Sequence, residues 1–358
     1  MINQNCFNNQ KHYQRGILLK QKTFTTFDGQ KILKTLPELC LDLLSEQKKE
    51  WLDLRESYES LVGVKERDLP CRRSSVRLQY NPIRIKSTTA DVGKNNMKER
   101  RCILCLDHLP KDQKGVLYRS SYLILCNPMP VFPFQFTVSH LDHRRQAIDE
   151  PIDAFLQLMS DLGYGWTVFY NGPQCGASVP DHLHFHVVPS GQIPIEKEIQ
   201  EEKRLTLMKQ VGGVLLYCVK DLGREVIILV GDDPVAVGDT FKRFLNGLKK
   251  VLLISEEPML NIAGFYEGRK QEGRKWCLLI FPRRKHRPDA FFNKGNDRLV
   301  VSPGAIDMGG VLITPVEKDF ERLDEAVVEG IYREVSLEGE IVKRAIEAIE
   351  VHQTGIME

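Results

Sequence analysis

The chain has 358 residues, and its 50 Lys and Arg against 48 Asp and Glu give a formal net charge of +2. At about 100–200 residues per domain, this length allows two domains or one large domain. The 42% of hydrophobic and 27% of charged residues are typical of globular proteins and exclude a wholly disordered chain or a coiled coil. The near-zero charge provides no general attraction to nucleic acid or to an anionic membrane.

The same composition argues against export and membrane insertion. No apolar run approaches the ~18 residues of a membrane span, and the Asn/Gln-rich N-terminus lacks the apolar stretch of a secretion signal. The nine cysteines are an odd number without an export signal, which favours reduced thiols over a disulfide framework. We therefore expect a soluble, cytoplasmic protein that binds neither nucleic acid nor membrane.

The first part of the chain predicts mainly helices. Apolar residues recur at steps of three and four over Lys34–Leu61, the spacing of one or two helices. Val76–Ser87 alternates apolar and polar residues and predicts a strand that is broken at Asn81–Pro82. We assign residues 1–75 to an N-terminal helical extension.

Strands and helices mix in the remainder, which predicts an α+β protein. The central elements are predicted at Gly115–Tyr118, Tyr122–Cys126, Phe134–Ser139, Trp166–Tyr170 and His182–Val188 for strands and at Gln146–Leu162 for a helix. Later strands are predicted at Val211–Val219, Glu225–Val230, Ile262–Glu267, Trp276–Phe281, Arg298–Val301 and Val311–Thr314, and helices at Val235–Val251, Glu317–Arg333 and Leu337–His352. A charged stretch near residue 200 separates the two sets, so we divide this part into domains 76–200 and 201–358.

Three histidines alternate with apolar residues in Asp181–Val188 (DHLHFHVV). On a strand, all three imidazoles would project from one face. The row is consistent with a polar strand surface, with a metal site formed by all three rings, or with a nucleophile and its supporting residues. In the third case a neutral imidazole attacks phosphorus and forms a phosphoramidate, which divides one displacement into two.

The loop before this strand favours the nucleophile. Asn171–Ser178 (NGPQCGAS) can offer unobstructed backbone N–H groups to a phosphate, with Asn and Ser side chains as further donors. A glycine-containing loop is weak evidence alone, but here three alternating histidines follow it directly.

His182–Val188, Asn171, Gly176-Ala177-Ser178 and Phe136–His143 (FTVSHLDH) together resemble the signature of the histidine triad superfamily. This superfamily includes nucleotide hydrolases and a branch of nucleotidyltransferases built from two halves. The branch contains galactose-1-phosphate uridylyltransferase, diadenosine tetraphosphate phosphorylase and GDP-hexose phosphorylases, and the chain is similar to it in length, layout and its C-x-x-C. The motifs cover about residues 76–191. The resemblance implies two similar-sized halves, each with an antiparallel sheet and flanking helices.

Position by position, the resemblance implies roles for the site residues. His184 would be the nucleophile that takes a nucleoside monophosphate from the α-phosphate of the donor, and His182 would be structural. Ser178, Asn171 and Gly176 would bind phosphate or hold the loop. Because Asp181 intervenes, Ser178 precedes His182 by four residues, where the branch more often has one residue fewer.

The third histidine departs from the transferase pattern. Transferases of the branch usually carry Gln at this position and the hydrolases carry His, and here the residue is His186. Its identity affects how the phosphoryl oxygen is held, so we include His186 among the catalytic residues. Hydrolysis therefore stays open beside transfer or phosphorolysis, and a non-catalytic nucleotide-binding protein is a further alternative.

Cys102-Ile103-Leu104-Cys105 is a thiolate pair with the spacing of half a structural zinc site. The resemblance implies His143 and His182 as the other two ligands. His108 and His140 are competing ligands, and a turn with two buried, metal-free thiols is the alternative to any metal.

Basic residues elsewhere are candidates for substrate binding. Arg84 and Lys86 would share one face of the predicted strand that enters the first half. Arg283 belongs to a basic run, 281–288 (FPRRKHRP), that is consistent with a solvated surface or with a phosphate site. Asn261 and 302–305 are weaker candidates, and we interpret Asp307–Gly310 as a turn.

Together these observations predict a nucleotidyltransferase or phosphorylase that acts through a nucleotidyl-histidine. Its expected partners are a nucleotide or nucleotide-sugar substrate and inorganic phosphate or a sugar phosphate. Structural Zn²⁺ is the expected metal, Mg²⁺ is left open, and the resemblance also leaves a homodimer open.

Overall fold

The computed structural model describes residues 13–30, 33–71, 74–91, 100–267 and 275–349. Its strands, in chain order, are β1 (Thr23–Phe27), β2 (Lys65–Pro70), β3 (Ser75–Tyr80), β4 (Gly115–Tyr118), β5 (Tyr122–Cys126), β6 (Phe136–His140), β7 (Trp166–Asn171), β8 (His184–Pro189), β9 (Leu205–Val211), β10 (Val214–Val219), β11 (Ile227–Gly231), β12 (Leu260–Glu267), β13 (Lys275–Pro282) and β14 (Val311–Thr314).

Helices flank these strands. They are α1 (13–22), α2 (Leu36–Glu50), α3 (Leu52–Glu59), α4 (Ile85–Thr88), α5 (Ile152–Leu162), α6 (Ile195–Glu198), α7 (Pro234–Leu252), α8 (Ala305–Met308), α9 (Glu317–Arg322), α10 (Glu325–Val335) and α11 (Gly339–Glu347). Short 3₁₀ turns cover Ser60–Gly63, Pro82–Arg84, Leu106–His108, Glu202–Arg204, Asp289–Phe292 and Gly295–Asp297.

Local sequence explains where the long helices begin and end. Thr35 caps α2 in a reciprocal pair with Glu38, and Asp233 caps α7 by accepting hydrogen bonds from two backbone N–H groups. Gly163 ends α5 with φ of 69°, a conformation that costs glycine little. In the part of the chain that the structure describes, no helix has the length and apolar character needed to cross a bilayer.

One mixed sheet of eleven strands dominates the α+β fold. Its order is β1-β4-β5-β6-β8-β7-β12-β13-β11-β10-β9, and all its neighbours are antiparallel except β1 and β4. The antiparallel pair β7–β12 joins the earlier strands to the later ones, so the sheet continues across the boundary predicted near residue 200. A second, three-stranded sheet has the order β14-β3-β2 and shares no strand with the large one.

The large sheet has a hydrophobic core on each face. Phe185 and Val187 of β8 belong to the core that also contains α2, α5, α7 and α11. Val188 belongs to the other core, which includes the small sheet and residues of α8 and α10. Because side chains alternate along a strand, His184 and His186 face the second side.

The structure confirms most of the predicted elements and corrects several. The break predicted at Asn81–Pro82 is confirmed, because β3 ends at Tyr80 and Pro82 lacks an N–H for a strand ladder. The part of the strand predicted beyond this break is wrong, since the chain there forms a 3₁₀ turn that leads into α4. The helix predicted at Gln146–Leu162 begins at Ile152. His182 lies just outside β8, which begins at His184.

Later elements differ in similar ways. Residues predicted as a strand at Arg298–Val301 pair with no strand among the described residues, and Val300 N–H donates instead to the Asp319 carboxylate at 2.8 Å. The helix predicted at Glu317–Arg333 is divided into α9 and α10, because Asp324 caps a new helix. The helix predicted to reach His352 ends at Glu347, and 350–358 lie outside the described residues.

Candidate active site and metal centre

His184 is the first residue of β8 and lines a cavity of about 320 Å³ on the second face of the sheet. Its ring is 2% exposed, and its Nδ1 lies 2.7 Å from the carbonyl oxygen of His182. Because a carbonyl only accepts, Nδ1 carries the proton and Nε2 keeps its lone pair. Burial lowers the pKa of His184 to about 4. The ring is therefore neutral at physiological pH, as a nucleophile must be.

Gln146 holds the backbone around this histidine and was not predicted as a site residue. Its side-chain amide donates to the carbonyls of His184 at 3.1 Å and Asn171 at 2.9 Å, and its Oε1 accepts from His184 N–H at 2.8 Å. Gln146 is fully buried and so forms a fixed bridge between β7 and β8. A lone buried amide among charged and apolar neighbours is too weak a sequence signal to identify this bridge.

His186 lies one strand repeat beyond His184, and its ring packs edge-on to that ring with centroids 5.1 Å apart. Its Nδ1 lies 3.4 Å from the Thr137 hydroxyl on the neighbouring strand β6. Burial and the nearby rings and charges, including Arg84, lower the pKa of His186. The second and third histidines of the row thus share the cavity, whereas His182 does not line it.

The glycine-containing loop forms the wall beside His184. Ser178 and Gly176 both line the cavity. Gly176 has φ of +88°, and a Cβ at this position would lie 2.6 Å from Gly304, so the position requires glycine. The loop 171–178 therefore packs directly against 303–305, which comes from the later part of the chain.

Asn171 also lines the cavity, but its side-chain oxygen is engaged in the protein. Oδ1 accepts from Ala305 N–H at 2.7 Å and from the Asn261 side chain at 2.8 Å. Of the two roles expected for Asn171, the geometry corresponds to holding the loop. Asn261, a weaker candidate in the sequence, is the second residue of this connection and also donates to the Cys175 carbonyl at 2.6 Å.

Asp307 is a buried carboxylate on the wall opposite the sheet, where the sequence indicated only a turn. Its two oxygens accept from Gly304 N–H at 2.9 Å and Ile313 N–H at 3.0 Å. Burial raises its pKa to about 6, although these N–H groups and the charge of Arg84 act in the opposite direction. Because the later part of the chain supplies this wall, local sequence could not assign Asp307 to the cavity.

Arg84 reaches the cavity from the 3₁₀ turn before α4 rather than from a strand. Its Nη1 donates to the Met129 carbonyl at 2.8 Å, and no other hydrogen bond or ion pair engages its guanidinium among the described residues. Burial lowers the pKa of Arg84, although an arginine still keeps its charge. Lys86, expected on the same strand face, is exposed and does not line the cavity.

Arg283 lies away from the cavity lining and is buried. Its Nη1 donates to Asn261 Oδ1 at 2.5 Å and to the Pro303 carbonyl at 2.8 Å, and its other nitrogens donate to the carbonyls of Val335, Lys285 and His286. Every nitrogen of the guanidinium is therefore used within the protein. Arg283 supports the 303–305 loop in this structure and does not reach the position expected of a substrate ligand.

A second cluster of functional groups, two thiols and two imidazoles, lies near the start of β8. The ligand atoms of Cys102, Cys105, His143 and His182 all lie within 4.8 Å of one another. Cys102 Sγ lies 3.2 Å from His182 Nδ1, and Cys105 Sγ lies 3.2 Å from His143 Nδ1. Two Cys and two His are a common donor set for tetrahedral zinc, so this cluster could hold a metal such as zinc.

A second hydrogen bond orients the His182 ring for this role. Its Nε2 donates to the His140 carbonyl at 2.8 Å, which leaves the lone pair of Nδ1 directed at the thiols. The competing ligands are not part of the cluster: His108 Nδ1 bonds to the Cys102 carbonyl, and His140 Nδ1 accepts from Asp142 N–H. The extra residue Asp181 pairs with Arg100, and its other oxygen lies 3.9 Å from His143.

Comparison with known proteins relates this geometry to a fold. Residues 43–189 match the family described as "Domain of unknown function (DUF4922)". The search of curated proteins finds no match.

Among solved structures, the yeast Ap4A phosphorylase Apa2 in complex with Ap4A is 14% identical with a TM-score of 0.53, covering 86% of this chain and 99% of that chain. The same enzyme in complex with AMP gives a TM-score of 0.50 at 14% identity, covering 81% and 96%. A uridylyltransferase mutant is 12% identical with a TM-score of 0.38, covering 80% and 98%.

At these identities the similarity establishes the fold. The similarity to Ap4A phosphorylase extends over most of both chains, so it is not confined to the part that carries the three histidines. The chain therefore has an α+β fold similar to that of the Ap4A phosphorylase structures.

Proposed function

We propose that the protein is a nucleotidyltransferase that cleaves a nucleoside diphosphate sugar or a dinucleoside polyphosphate at the α-phosphate, through a nucleotidyl-histidine on His184. The observation that carries this proposal is the hydrogen bond from His184 Nδ1 to the His182 carbonyl, at the edge of the 320 Å³ cavity. It leaves Nε2 as an unprotonated nucleophile. The solved relatives bind Ap4A and AMP, which supports a nucleotide ligand.

In the first step, His184 Nε2 forms a bond to the α-phosphorus. The bond from that phosphorus to the bridging oxygen breaks, and the leaving group departs with the electron pair as a phosphate ester. The imidazole ring thereby becomes positively charged. Its Nδ1–H still donates to the His182 carbonyl, and this hydrogen bond stabilises the positive charge.

In the second step, an oxygen of inorganic phosphate attacks the same phosphorus. The P–N bond breaks, the electron pair returns to Nε2, and a nucleoside diphosphate is released. Arg84 is the cation available to the phosphoryl oxygens in both steps, and Ser178 and the 176–178 backbone are further donors.

We infer from the cavity wall formed by 302–307 that the leaving group contains a sugar rather than a second nucleotide. Asp307 is a buried carboxylate on this wall, and a carboxylate accepts hydrogen bonds from hydroxyl groups but repels a polyphosphate. The cavity is also at the small end of the ~300–1,000 Å³ range of ligand sites. A nucleoside diphosphate sugar is thus our first candidate donor.

The proposal also includes a structural zinc site and a division of the chain into two halves. Zn²⁺ held by Cys102, Cys105, His143 and His182 would link the C-x-x-C turn to the start of β8 and so fix the residue that supplies the His184 hydrogen bond. The strands before and after residue 200 would represent the two halves of the branch, joined edge to edge through β7 and β12.

Hydrolysis is the second candidate because the third position of the row is His186. A water molecule in place of phosphate would release a nucleoside monophosphate. His186 lies near Thr137 and Arg84, and we propose that its ring contacts a phosphoryl oxygen there.

Product analysis tests the proposal. The protein and His184→Ala are incubated with GDP-hexoses, UDP-hexoses and Ap4A, with and without inorganic phosphate. Nucleoside diphosphate that appears only with phosphate supports phosphorolysis, and nucleoside monophosphate without phosphate supports hydrolysis. Intact mass spectrometry of the donor-treated protein without phosphate should detect one added nucleoside monophosphate, absent from the variant. Equal turnover by the variant would refute the assignment.

His186→Gln is the matched comparison, since it introduces the residue of the transferases while leaving His184 intact. We expect this variant to retain nucleotidylation and to reduce any release of nucleoside monophosphate to water.

A further inference from the structure

The basic run 281–288 contains a second buried arginine, Arg287, which the proposed reaction does not use. Arg287 is 8% exposed and lies outside the cavity lining. It is therefore neither a solvated surface cation nor part of the surface that a substrate would contact. Its hydrogen bonds show what it does instead.

Arg287 joins two segments that both line the cavity. Its Nη2 donates to the carbonyls of Thr88 at 2.9 Å and Ala90 at 2.8 Å, and its Nε donates to the Ser302 hydroxyl at 2.9 Å. Its Cζ lies 4.2 Å from the centroid of the Phe291 ring. These contacts compensate for the burial of its charge.

The two carbonyls lie at the end of α4, where a helix leaves its last carbonyls without partners and a cation is favourable. Arg84, Ser87 and Thr88 of this segment line the cavity, whereas Ile85 and Lys86 are exposed. Because α4 is only one turn long, its own hydrogen bonds hold it weakly. Contacts at its two ends therefore decide where it lies.

Asn81 fixes the first end of this segment. Its side-chain amide donates to the Pro130 carbonyl at 3.1 Å, and its backbone N–H donates to the last carbonyl of β14 at 3.0 Å. Arg287 holds the other end and joins it, through Ser302, to the cavity wall at 302–307. One guanidinium from the later part of the chain thus links the segment that carries Arg84 to that wall.

We propose that Arg287 is a positioning residue for nucleotidyl transfer, which fixes α4 so that Arg84 reaches the phosphoryl oxygens. The inference rests on the proposed function, in which Arg84 is the cation available to those oxygens. Among the described residues Arg84 has one hydrogen bond of its own, to the Met129 carbonyl. Its position therefore depends on the backbone that carries it, and a displacement of about 1 Å is enough to weaken its effect on the charge that develops at phosphorus.

A double-mutant cycle with Arg84 tests this assignment on the donor that the product analysis identifies. We expect Arg287→Gln to lower kcat/KM by about tenfold to thirtyfold and Arg84→Ala to lower it by about 10²-fold. In the Arg84→Ala background, Arg287→Gln should cost less than about threefold, because the cation that it positions is already absent. A purely structural contribution would instead cost the same factor in both backgrounds.

Amide hydrogen exchange measures the contact with α4 independently of the reaction. Loss of the two carbonyl hydrogen bonds in Arg287→Gln should speed exchange in residues 85–90. Arg298→Gln is the matched control. Its guanidinium also lies over the Phe291 ring, at 5.1 Å, and donates to the Phe291 carbonyl, but no hydrogen bond joins it to 84–90 within the described ranges. This control should match the wild type in exchange and in turnover.

Arg287→Lys keeps the charge and can donate to a carbonyl of α4, so it should recover part of the lost kcat/KM. If Arg287→Gln does not fold, Arg287→Lys is used for the same cycle and the same exchange measurement. The inference fails if the cost is equal in both backgrounds, if Arg298→Gln loses as much activity, or if exchange in 85–90 is unchanged. If the wild type turns over no donor, the proposed function fails and the inference fails with it, whereas a failed cycle in an active wild type concerns Arg287 alone.

Discussion

The candidate metal cluster and the cavity lined by His184 each depend on a histidine of the same short run, but the two rings donate from opposite nitrogens. His182 donates from Nε2 to the His140 carbonyl, which directs Nδ1 at the two thiols. His184 donates from Nδ1 to the His182 carbonyl, which leaves Nε2 for a substrate. Two side chains that are chemically identical thus leave different nitrogens available, because different carbonyls accept their protons.

The two regions also differ in how the chain builds them. The candidate metal cluster is assembled within 102–182. The C-x-x-C is a local sequence signal for its two thiols, and the family resemblance implied His143 and His182 as the other two residues. The cavity joins β6 and β8 to a wall at 302–307, more than a hundred residues later. We infer that the candidate metal cluster stabilises the fold, whereas the cavity lined by His184 carries out the reaction. The following experiments test whether these two roles are separate.

The largest effect should come from His184→Ala. We expect the rate of nucleotidyl transfer to fall by more than about 10³-fold, because the covalent intermediate has no nucleophile. Zinc content and melting temperature should stay close to those of the wild type. Steady-state kinetics and metal analysis on the same preparations measure both. Loss of metal in this variant would mean that the two regions are not separable.

Cys102→Ser should have the complementary effect. We expect zinc to fall from one ion per chain to a small fraction, and the melting temperature to fall by more than about 5 °C, because bound metal contributes directly to folding stability. Metal analysis and calorimetry provide the readouts. Cys218→Ser is the control, since this half-buried thiol lies outside the cluster. Full zinc occupancy in Cys102→Ser would contradict the assignment.

Asp307→Asn tests whether ionisation of the buried Asp307 carboxyl in the cavity wall lowers the free energy of unfolding. Because burial raises the pKa of Asp307 to about 6 from an ordinary value of 3.8, the folded state holds its proton at pH values where the unfolded state has lost it. Ionisation of this carboxyl therefore lowers the free energy of unfolding as pH rises from about 4 to 6.

Urea unfolding of the wild type and Asp307→Asn at pH 4 and pH 7 measures that effect. Relative to the wild type, the free energy of unfolding of Asp307→Asn should be about 2–3 kcal/mol higher at pH 7 than it is at pH 4. A difference that is independent of pH would show that the carboxyl titrates as in the unfolded chain. If Asp307 also contacts a sugar hydroxyl, kcat/KM for the hexose donor should fall more than for a deoxyhexose donor.

The smallest effect should come from Gln146→Leu, which removes the bridge between β7 and β8. We expect kcat to fall by about tenfold with little change in KM, because the hydrogen bonds at His184 N–H and its carbonyl position the nucleophile without touching the substrate. Zinc content should be unchanged. A change confined to KM would instead place Gln146 in substrate binding.

Much of the fold could be predicted because local patterns carry it. Apolar residues spaced three and four apart predicted α2 and α3. Helix α7 and strands β5, β7 and β8 also lie close to their predicted bounds. One error occurs where a capping residue competes with periodicity, at Asp324, which begins a new helix inside the predicted one. The sequence located the break at Asn81–Pro82, but alternation alone predicted a strand again after it, where the chain forms a 3₁₀ turn and α4.

The basic residues show the limit of local reasoning. Arg84 and Arg283 were predicted together as substrate ligands, but only Arg84 lines the cavity. Arg283 is surrounded by carbonyls of 285–286, 303 and 335, which no pattern near residue 283 indicates. A basic run in a sequence reports charge, whereas the role of each cation depends on which acceptors the fold brings to it.

The sequence by itself determined the row of histidines, the C-x-x-C, the glycine-containing loop and the alternation that directs His184 and His186 to one face. Those features are local, and backbone geometry converts them directly into positions. Only the tertiary structure decided which nitrogen each ring exposes, that Asp307 closes the cavity and that Arg283 does not reach it. The reason is physical: these properties depend on hydrogen-bond partners far away in the chain, and only folding brings those partners together.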